Sequence, residues 1–462
     1  MSLRIWHIGV FFLLCSFSAQ GRGVFVSSSS GSDANDGLSP NAPYRSIEKA
    51  ISSGQDIFLK AGDIFYGPVE CWGHNLKRYG EGVNPMVCGY KRISGQRWKK
   101  VAKNIWRLDL RGHKFSGAGV SQESSFLNNI GCLHEWDKDV IHGKKVRYRT
   151  ELKEDWDIWQ TDTSYAGMPS SSFDYLYLFL KRNPNRLKLE CSVGAAALRT
   201  EKSIIDGIDF SGFGFGISGG TETVIRNCRI DVVGGMLQIG APEYVCYGNG
   251  IEFFVAKNIE NCIVEGCVVS RCFDAGMTLQ GCDCPGAFPK NIVFRNNFLC
   301  NCCQAWEDFL RNGDGARFEN CRFENNIIIG SGDSGFGYSD GRFKYCNVLG
   351  NNFEGDRGMI IRNNVFIGGN FYCTMPFGHK YRSHRWEGNV CYLVPGSFIL
   401  ANYVGTEDVL RPGEEDWGKV IERYRELPGD TDTRFIISLP EEVTLLEQYY
   451  IKSKNESTAY NY

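Results

Sequence analysis

Three carboxylates stand in segments that a stack of short strands would set side by side. Glu252 lies in GIEFF, Glu307 in AWEDFL, and Asp274 just ahead of GMTLQG. Aligned on the glycines that lead into such segments, Ser218, Glu252, Thr278, Glu307 and Gly337 take equivalent positions. Equivalent residues of neighbouring turns lie about 4.8 Å apart, which puts the Glu252 and Glu307 backbones about 9 to 10 Å from each other. Side chains leaning together would bring the carboxyls near the ~6.5–9.5 Å separation that leaves an inverting glycosidase room for water. One acid would protonate a departing glycosidic oxygen while the second activates water, and burial or mutual repulsion would keep the first protonated. Asp274, in the turn between the two, is a third carboxylate for the set. A solvated face dotted with acids is the plainer alternative. It fits less well, because GIEFF and AWEDF set their acids between large apolar residues.

A second cluster is GHKYRSHRWEG, residues 378 to 388. His379, Lys380, Arg382, His384 and Arg385 bring five basic groups onto one loop, suited to an acidic sugar or to nothing more than a solvated turn. No acid at ligand spacing accompanies the two histidines, which argues against a zinc pair. Trp306, beside Glu307, and Tyr338 offer aromatic faces to a sugar ring. Asp333 and Asp340 either join the cleft or form turns. The candidate catalytic set is therefore Glu252, Asp274 and Glu307. The candidate substrate-binding set is His379, Lys380, Arg382, His384, Tyr338 and Trp306, with no metal ligands.

The elements that must position these residues repeat from Ser203 to Leu393. Lines such as CIVEGCVV, NIVFRNNFL and ARFENCRFENNIII each hold a β-branched or aromatic run, a central Asn or Gly, and a second short strand. The pairs fall at Asp206-Gly207, Asn227-Cys228, Gly266-Cys267, Asn296-Asn297, Asn325-Asn326, Asn363-Asn364 and Gly388-Asn389. Successive short strands without helical pattern between them predict a coil whose turns stack to bury a shared core. One asparagine per turn predicts a ladder of side-chain amides. The expected fold is all-β: a right-handed parallel β-helix with an N-terminal capping helix, an inserted β-rich segment and a C-terminal helical tail.

Arg4 followed by the apolar run Ile8 to Phe17 reads as a secretory signal peptide, too short to span a bilayer. The expected division is a signal peptide over 1–20, a cap over 21–67, a β-rich insertion over 68–200, coil turns over 201–400 and a helical tail over 401–462. A bacterial periplasmic or extracellular location follows. Net charge of −2 argues against a nucleic-acid partner. Most of the nineteen cysteines fall inside the repeat lines as small core residues. The group Cys282, Cys284, Cys300, Cys302 and Cys303 lacks zinc-knuckle spacing and suits a local disulfide better. In the insertion, Trp156 and Trp159 are the tryptophans best placed for a sugar cleft, the others for a small β core. EEDWGKVIERYREL, residues 414 to 427, is an amphipathic helix expected to cover the far end, and the polar tail from Lys452 is expected to fray.

FVSSSSGSDANDGLSP, PYRSIEKAI and IFLKAGDIF, within residues 24 to 67, closely resemble the amino-terminal cap of secreted right-handed β-helix proteins of the pectate-lyase-like superfold. The resemblance covers this cap and the repeats from Ser203. It implies a helix, Ser46 to Ser52, plugging the open end of the coil. It also implies membership of a group that includes polysaccharide hydrolases, lyases, esterases and non-enzymatic adhesins. Lyases on that fold use Lys or Arg as base beside a uronate whose charge a further cation, often calcium, neutralises; Lys380 or Arg382 would take that role here. Asp33, Asn35 and Asp36 suit an Asx turn better than a structural calcium loop. The NTD, DD and RIK motifs of polygalacturonases are absent, as is GxSxG, while Gly214, Gly216 and Gly219 spell GxGxxG without a βαβ setting. The leading expectation is a glycoside hydrolase acting on a polysaccharide or oligosaccharide as a monomer. A uronate lyase and a non-catalytic glycan-binding protein are the alternatives, and calcium is the only cofactor in view.

Overall fold

The computed structural model describes residues 23–93, 97–111, 128–161, 173–237, 246–281, 286–310, 317–336, 346–350, 358–374, 384–402, 417–426, 430 and 432–459. The leader, Cys282, Cys284, Gly337, Tyr338, Asp340, His379, Lys380 and Arg382 lie outside the described residues.

Strands Ile259–Glu265, Val268–Cys272 and Ala275–Gly281 show one full turn of the chain. Each pairs in parallel with its counterpart one turn on: Pro289–Arg295, Phe298–Cys300 and Gln304–Leu310. Repetition of this unit builds three columns of strands around one interior, the right-handed parallel β-helix that the repeats predict. Alternation along each strand decides the faces. Ile251 and Phe253 enter the main hydrophobic core, whereas Glu252 between them takes the opposite side.

The paired Asn/Gly positions explain the corner between the first and second columns. From Asn227-Cys228 onward the first member of each pair adopts a left-handed backbone: φ is 55° at Asn227, 64° at Gly266, 57° at Asn296, 55° at Asn325, 54° at Asn363 and 62° at Gly388; in Asp206-Gly207 it is the glycine, at 69°. Only Gly and, less readily, Asn accept this conformation at low cost. From Asn296-Asn297 onward the second member forms the ladder. Asn297 donates its backbone N–H and Nδ2 to Oδ1 of Asn326 at 2.9 and 3.1 Å. Asn326 does the same to Asn364, and Asn364 to Asn389. Each Nδ2 also donates to a carbonyl across the corner, so these buried amides are satisfied.

The coil begins earlier than the repeats suggest. Gly23–Val26, Asp56–Lys60 and Leu76–Tyr79 already pair in parallel and continue into Ile204–Asp206. These first turns use glycine corners without the asparagine ladder, so the pattern that marks later turns is missing. The antiparallel insertion proper starts at Tyr90–Arg92, which pairs with Leu189–Glu201, and includes Ile105–Asp109 against Tyr175–Phe179. Helix α1, Ile47–Ile51, caps the first end with Ile47 and Ala50 buried. Ser46 is its N-cap, and Asp33 binds the backbone N–H groups of Arg45 and Ser46 and the Ser46 hydroxyl. The Asp36 carboxylate accepts from Leu38 N–H, an Asx turn as expected.

At the far end, α2 (Trp417–Arg425) buries Val420 and Tyr424, the Tyr424 ring lying against Phe371 and Phe435. The tail beyond is not frayed at Lys452: α3 runs Pro440–Ala459 and lays Val443, Leu446, Tyr450 and Ile451 on the outer face of the second column. All sixteen described cysteines are free thiols, buried except for half-buried Cys88. Cys300, Cys302 and Cys303 therefore form no disulfide. The GxGxxG glycines sit inside strand Asp209–Gly219, where a Cβ on Gly216 would collide with the Gly250 carbonyl; close packing explains them.

Candidate active site

The third column carries the acids. Register pairs Ser218 with Glu252, Glu252 with Thr278, and Thr278 with Glu307, the alignment read from the sequence. The next position differs: Leu349, not Gly337, pairs with Glu307, because a longer excursion separates these turns. Glu252 and Glu307 thus share one outer face two strands apart, about 9 to 10 Å between backbones. Both are nearly buried, at 8% and 6% exposure, while Asp274 at the start of the intervening strand is half-buried.

Burial is the main force on their protonation. It holds Glu307 well above the ordinary carboxylate range, and the charges of Asp274, Glu252 and Asp308 add to the rise. Asp274 is pushed up to about 7 by burial and by Glu252. Glu252 is also raised by burial, but two amides oppose the rise: Asn249 Nδ2 and Gln280 Nε2 both donate to its Oε2 at 2.6 Å. Three carboxyls that feel one another cannot all ionise near neutrality. The one with charge-stabilising donors ionises most readily, and Glu307, with the most acid neighbours, holds its proton longest.

Asn249 and Gln280 were not singled out in the sequence. Asn249 also accepts the Ala275 N–H at 3.1 Å, so it ties the strand that follows Asp274 to the Glu252 carboxylate. Its place in YGNG looks like a turn former, and a neutral glutamine in GMTLQG gives no charge signal. Arg199, exposed, lies two strands before Glu252 in the same column and puts a cation at one end of the face.

Two of the expected substrate contacts are overturned. Trp306 alternates inward with Met277 and Val348 and is fully buried, packed between Phe294 and Phe323 at ring distances of 4.7 and 4.6 Å. Its indole N–H donates to Asp308 Oδ2 at 2.7 Å. His384 is fully buried as well: Nδ1 accepts the Met359 N–H at 3.1 Å, which leaves the proton on Nε2, 2.8 Å from Asp308 Oδ1. Asp308 thus turns into the coil while its neighbour Glu307 turns out. Neither ring can meet a sugar. Among the other candidates, Asp333 forms a turn by accepting the Gly335 N–H, and Arg385 pairs with Glu387. Trp156 is covered by His142, stacked 3.6 Å away and nearly parallel, so that face is already occupied; Trp159 meets Tyr177 edge-on within the insertion.

No family model and no curated protein matches this chain. Among solved structures it is similar to XylC in complex with xylose, at 10% identity over 90% of this chain and 82% of that one, with a TM-score of 0.44. A structure described as a glycoside hydrolase gives 10% identity over 83% of this chain and 95% of that one, with the same TM-score of 0.44. An alginate lyase from Paenibacillus sp. str. FPU-7 gives 10% over 76% and 84%, with a TM-score of 0.35. By its strand register the chain is a parallel β-helix.

Proposed function

We propose that this chain is an exported carbohydrate-active enzyme that hydrolyses glycosidic bonds with inversion of the anomeric centre. The observation that carries the reading is the shared register of Glu252, Thr278 and Glu307, two buried carboxyls on one face with a single small residue between them. Glu307, which holds its proton longest, is the general acid and protonates the departing oxygen. Glu252, with two amides stabilising its charge, is the base that takes a proton from the attacking water. Asp274 is a positioning residue whose charge helps to keep Glu307 protonated. Export rests on the leader read over residues 1–20. No helix among the described residues is long and apolar enough to cross a membrane.

The test is a panel of neutral and uronate-containing polysaccharides, with products followed by chromatography and the first-formed anomer by NMR. The expected result is shortened products of inverted configuration, with Glu307→Gln reducing turnover by about 10²–10⁴-fold. Retained configuration or an unsaturated, ultraviolet-absorbing product would remove the two-carboxylate water mechanism. Undiminished turnover in Glu307→Gln would remove the assignment of the acid.

A further inference from the structure

A cavity of about 490 Å³ opens on a different face of the coil, away from the acid column. Its floor is the outer side of the second column, where Tyr66, Cys88, Ser211 and Asp231 follow one another in register. Its wall is the insertion, through Tyr90, Arg92, His134 and Trp136. The size is that of a small-ligand pocket.

Most of its charges are committed to one another, while Arg92 lies over the Trp136 ring, 4.8 Å from its centroid. Asp231 is held by Arg271 through both guanidinium arms, by Arg229 at 3.2 Å and by the Ser270 hydroxyl at 2.8 Å. His134 lies between Glu190 at 2.8 Å and Asp139 at 3.0 Å. Asp63 accepts from the Ser27 and Ser29 hydroxyls at 2.7 and 2.6 Å. Two polar groups are left with bonding capacity to spare: the buried Trp136 indole nitrogen has no hydrogen-bond partner among the described residues, and the buried Tyr90 hydroxyl has only the Ser211 hydroxyl beside it. The Tyr90 ring lies against Gly212, whose missing side chain and φ of 82° make the space for it. Beside these groups Tyr66 stands 58% exposed, a large apolar ring with nothing to cover it fully.

We propose that this cavity is a second glycan site that takes a neutral sugar residue. Tyr66 provides the platform on which the apolar face of a pyranose rests, and Tyr90 and Trp136 provide the hydroxyl and N–H that meet its hydroxyl groups. Five carboxylates line the cavity, Asp63, Asp139, Glu190, Asp209 and Asp231, against three arginines, of which Arg229 and Arg271 are already held by Asp231, so a uronate gains less by entering than a neutral sugar. The site is independent of the hydrolytic reading. It would hold a chain on the body of the enzyme whether or not the acid column cleaves it.

The test uses the full chain carrying Glu307→Gln, to prevent turnover, titrated calorimetrically with cellotetraose, xylotetraose, chitotetraose and tetragalacturonate. At least one neutral tetrasaccharide should bind, and the affinity should fall tenfold or more in Tyr66→Ala. Tyr66→Phe should keep the platform and the affinity. Tyr90→Phe, which removes only the hydroxyl, should weaken binding several-fold. Tyr66 is exposed, so an unchanged unfolding midpoint of Tyr66→Ala verifies that the fold is intact. The proposal is overturned if no neutral tetrasaccharide binds in a Tyr66-dependent way, or if tetragalacturonate does so more tightly. Failure of the acid column would instead show as absent cleavage by the unsubstituted chain with this Tyr66-dependent binding preserved.

Discussion

Replacing Gln280 with methionine should move the acidic limb of the pH profile upward. The Gln280 amide donates to Glu252 Oε2 at 2.6 Å, and a hydrogen bond onto an ionised carboxylate lowers its pKa. Removing the donor therefore raises it. A hydrogen bond to a charged group is worth about 1.5–3 kcal/mol, and 1.36 kcal/mol is one pH unit, so the limb should climb by about one to two pH units. Gln280 is half-buried, and water replacing part of the lost bond favours the lower figure. Methionine keeps the length of the side chain without the donor. Glu252 must be ionised to act as base, so the acidic side of kcat/KM moves, while the alkaline side, set by ionisation of Glu307, stays where it was. The assay is kcat/KM against pH on an oligosaccharide that the unsubstituted chain cleaves. An activity-independent titration of ¹³C-labelled glutamate carboxyls should report the same displacement. An unmoved acidic limb would refute the assignment of Glu252 as base, and movement of the alkaline limb alone would exchange the two roles.

Glu307→Gln should unfold at higher urea concentration than the unsubstituted chain at pH 7. The buried acid is neutral in the fold but ionised when unfolded, so the native state loses stability as pH rises above the ordinary value of 4.5; glutamine removes that loss, and the difference should vanish below about pH 4.5. Equal midpoints at pH 7 would contradict the raised pKa. Asn326→Leu deletes four side-chain hydrogen bonds of the ladder and strands the buried amide of Asn297, which should cost about 4 kcal/mol in urea unfolding; a loss below about 1 kcal/mol would mean that the ladder contributes little. Gly350→Ala would set a Cβ 3.0 Å from His384 Nε2 and 3.1 Å from Asp308 Oδ1 inside the coil, and should cost about 1–3 kcal/mol in the same measurement. An unchanged midpoint would show that the interior pair yields freely.

The later turns are legible in the sequence because their corners need particular residues. A left-handed residue followed by a buried amide narrows the choice to Asn or Gly and then Asn, and that demand repeats. The first turns need only glycines such as Gly62, Gly67 and Gly80 at their corners, so nothing distinguishes them from ordinary loops. The alignment of Glu252 with Glu307 is legible for a similar reason, since Gly250 and Gly276 lead into the strands of Glu252 and Thr278 at positions where a side chain would strike the next turn, and the small Ala305 takes the same place before Glu307. It fails at Gly337 because no residue marks the length of the excursion before Leu349. Trp306 and His384 mislead in opposite ways. Aromatic and basic residues beside an acid look like sugar contacts, yet strand alternation sends Trp306 inward, and Asp308, its neighbour but one, draws His384 after it. A partner so distant along the chain leaves no local trace.

The unpaired sulfurs bear on the lifetime of the molecule. Burial pushes the Cys71, Cys132, Cys262 and Cys321 thiols up to about 12, so each holds its proton and is a poor nucleophile while folded. Once the chain opens, that shelter is gone for all of them together, and in oxidising surroundings random cross-links would form faster than so long a stack could rewind. Durability outside a reducing compartment would then be governed by how seldom the coil opens, with each opening an irreversible loss.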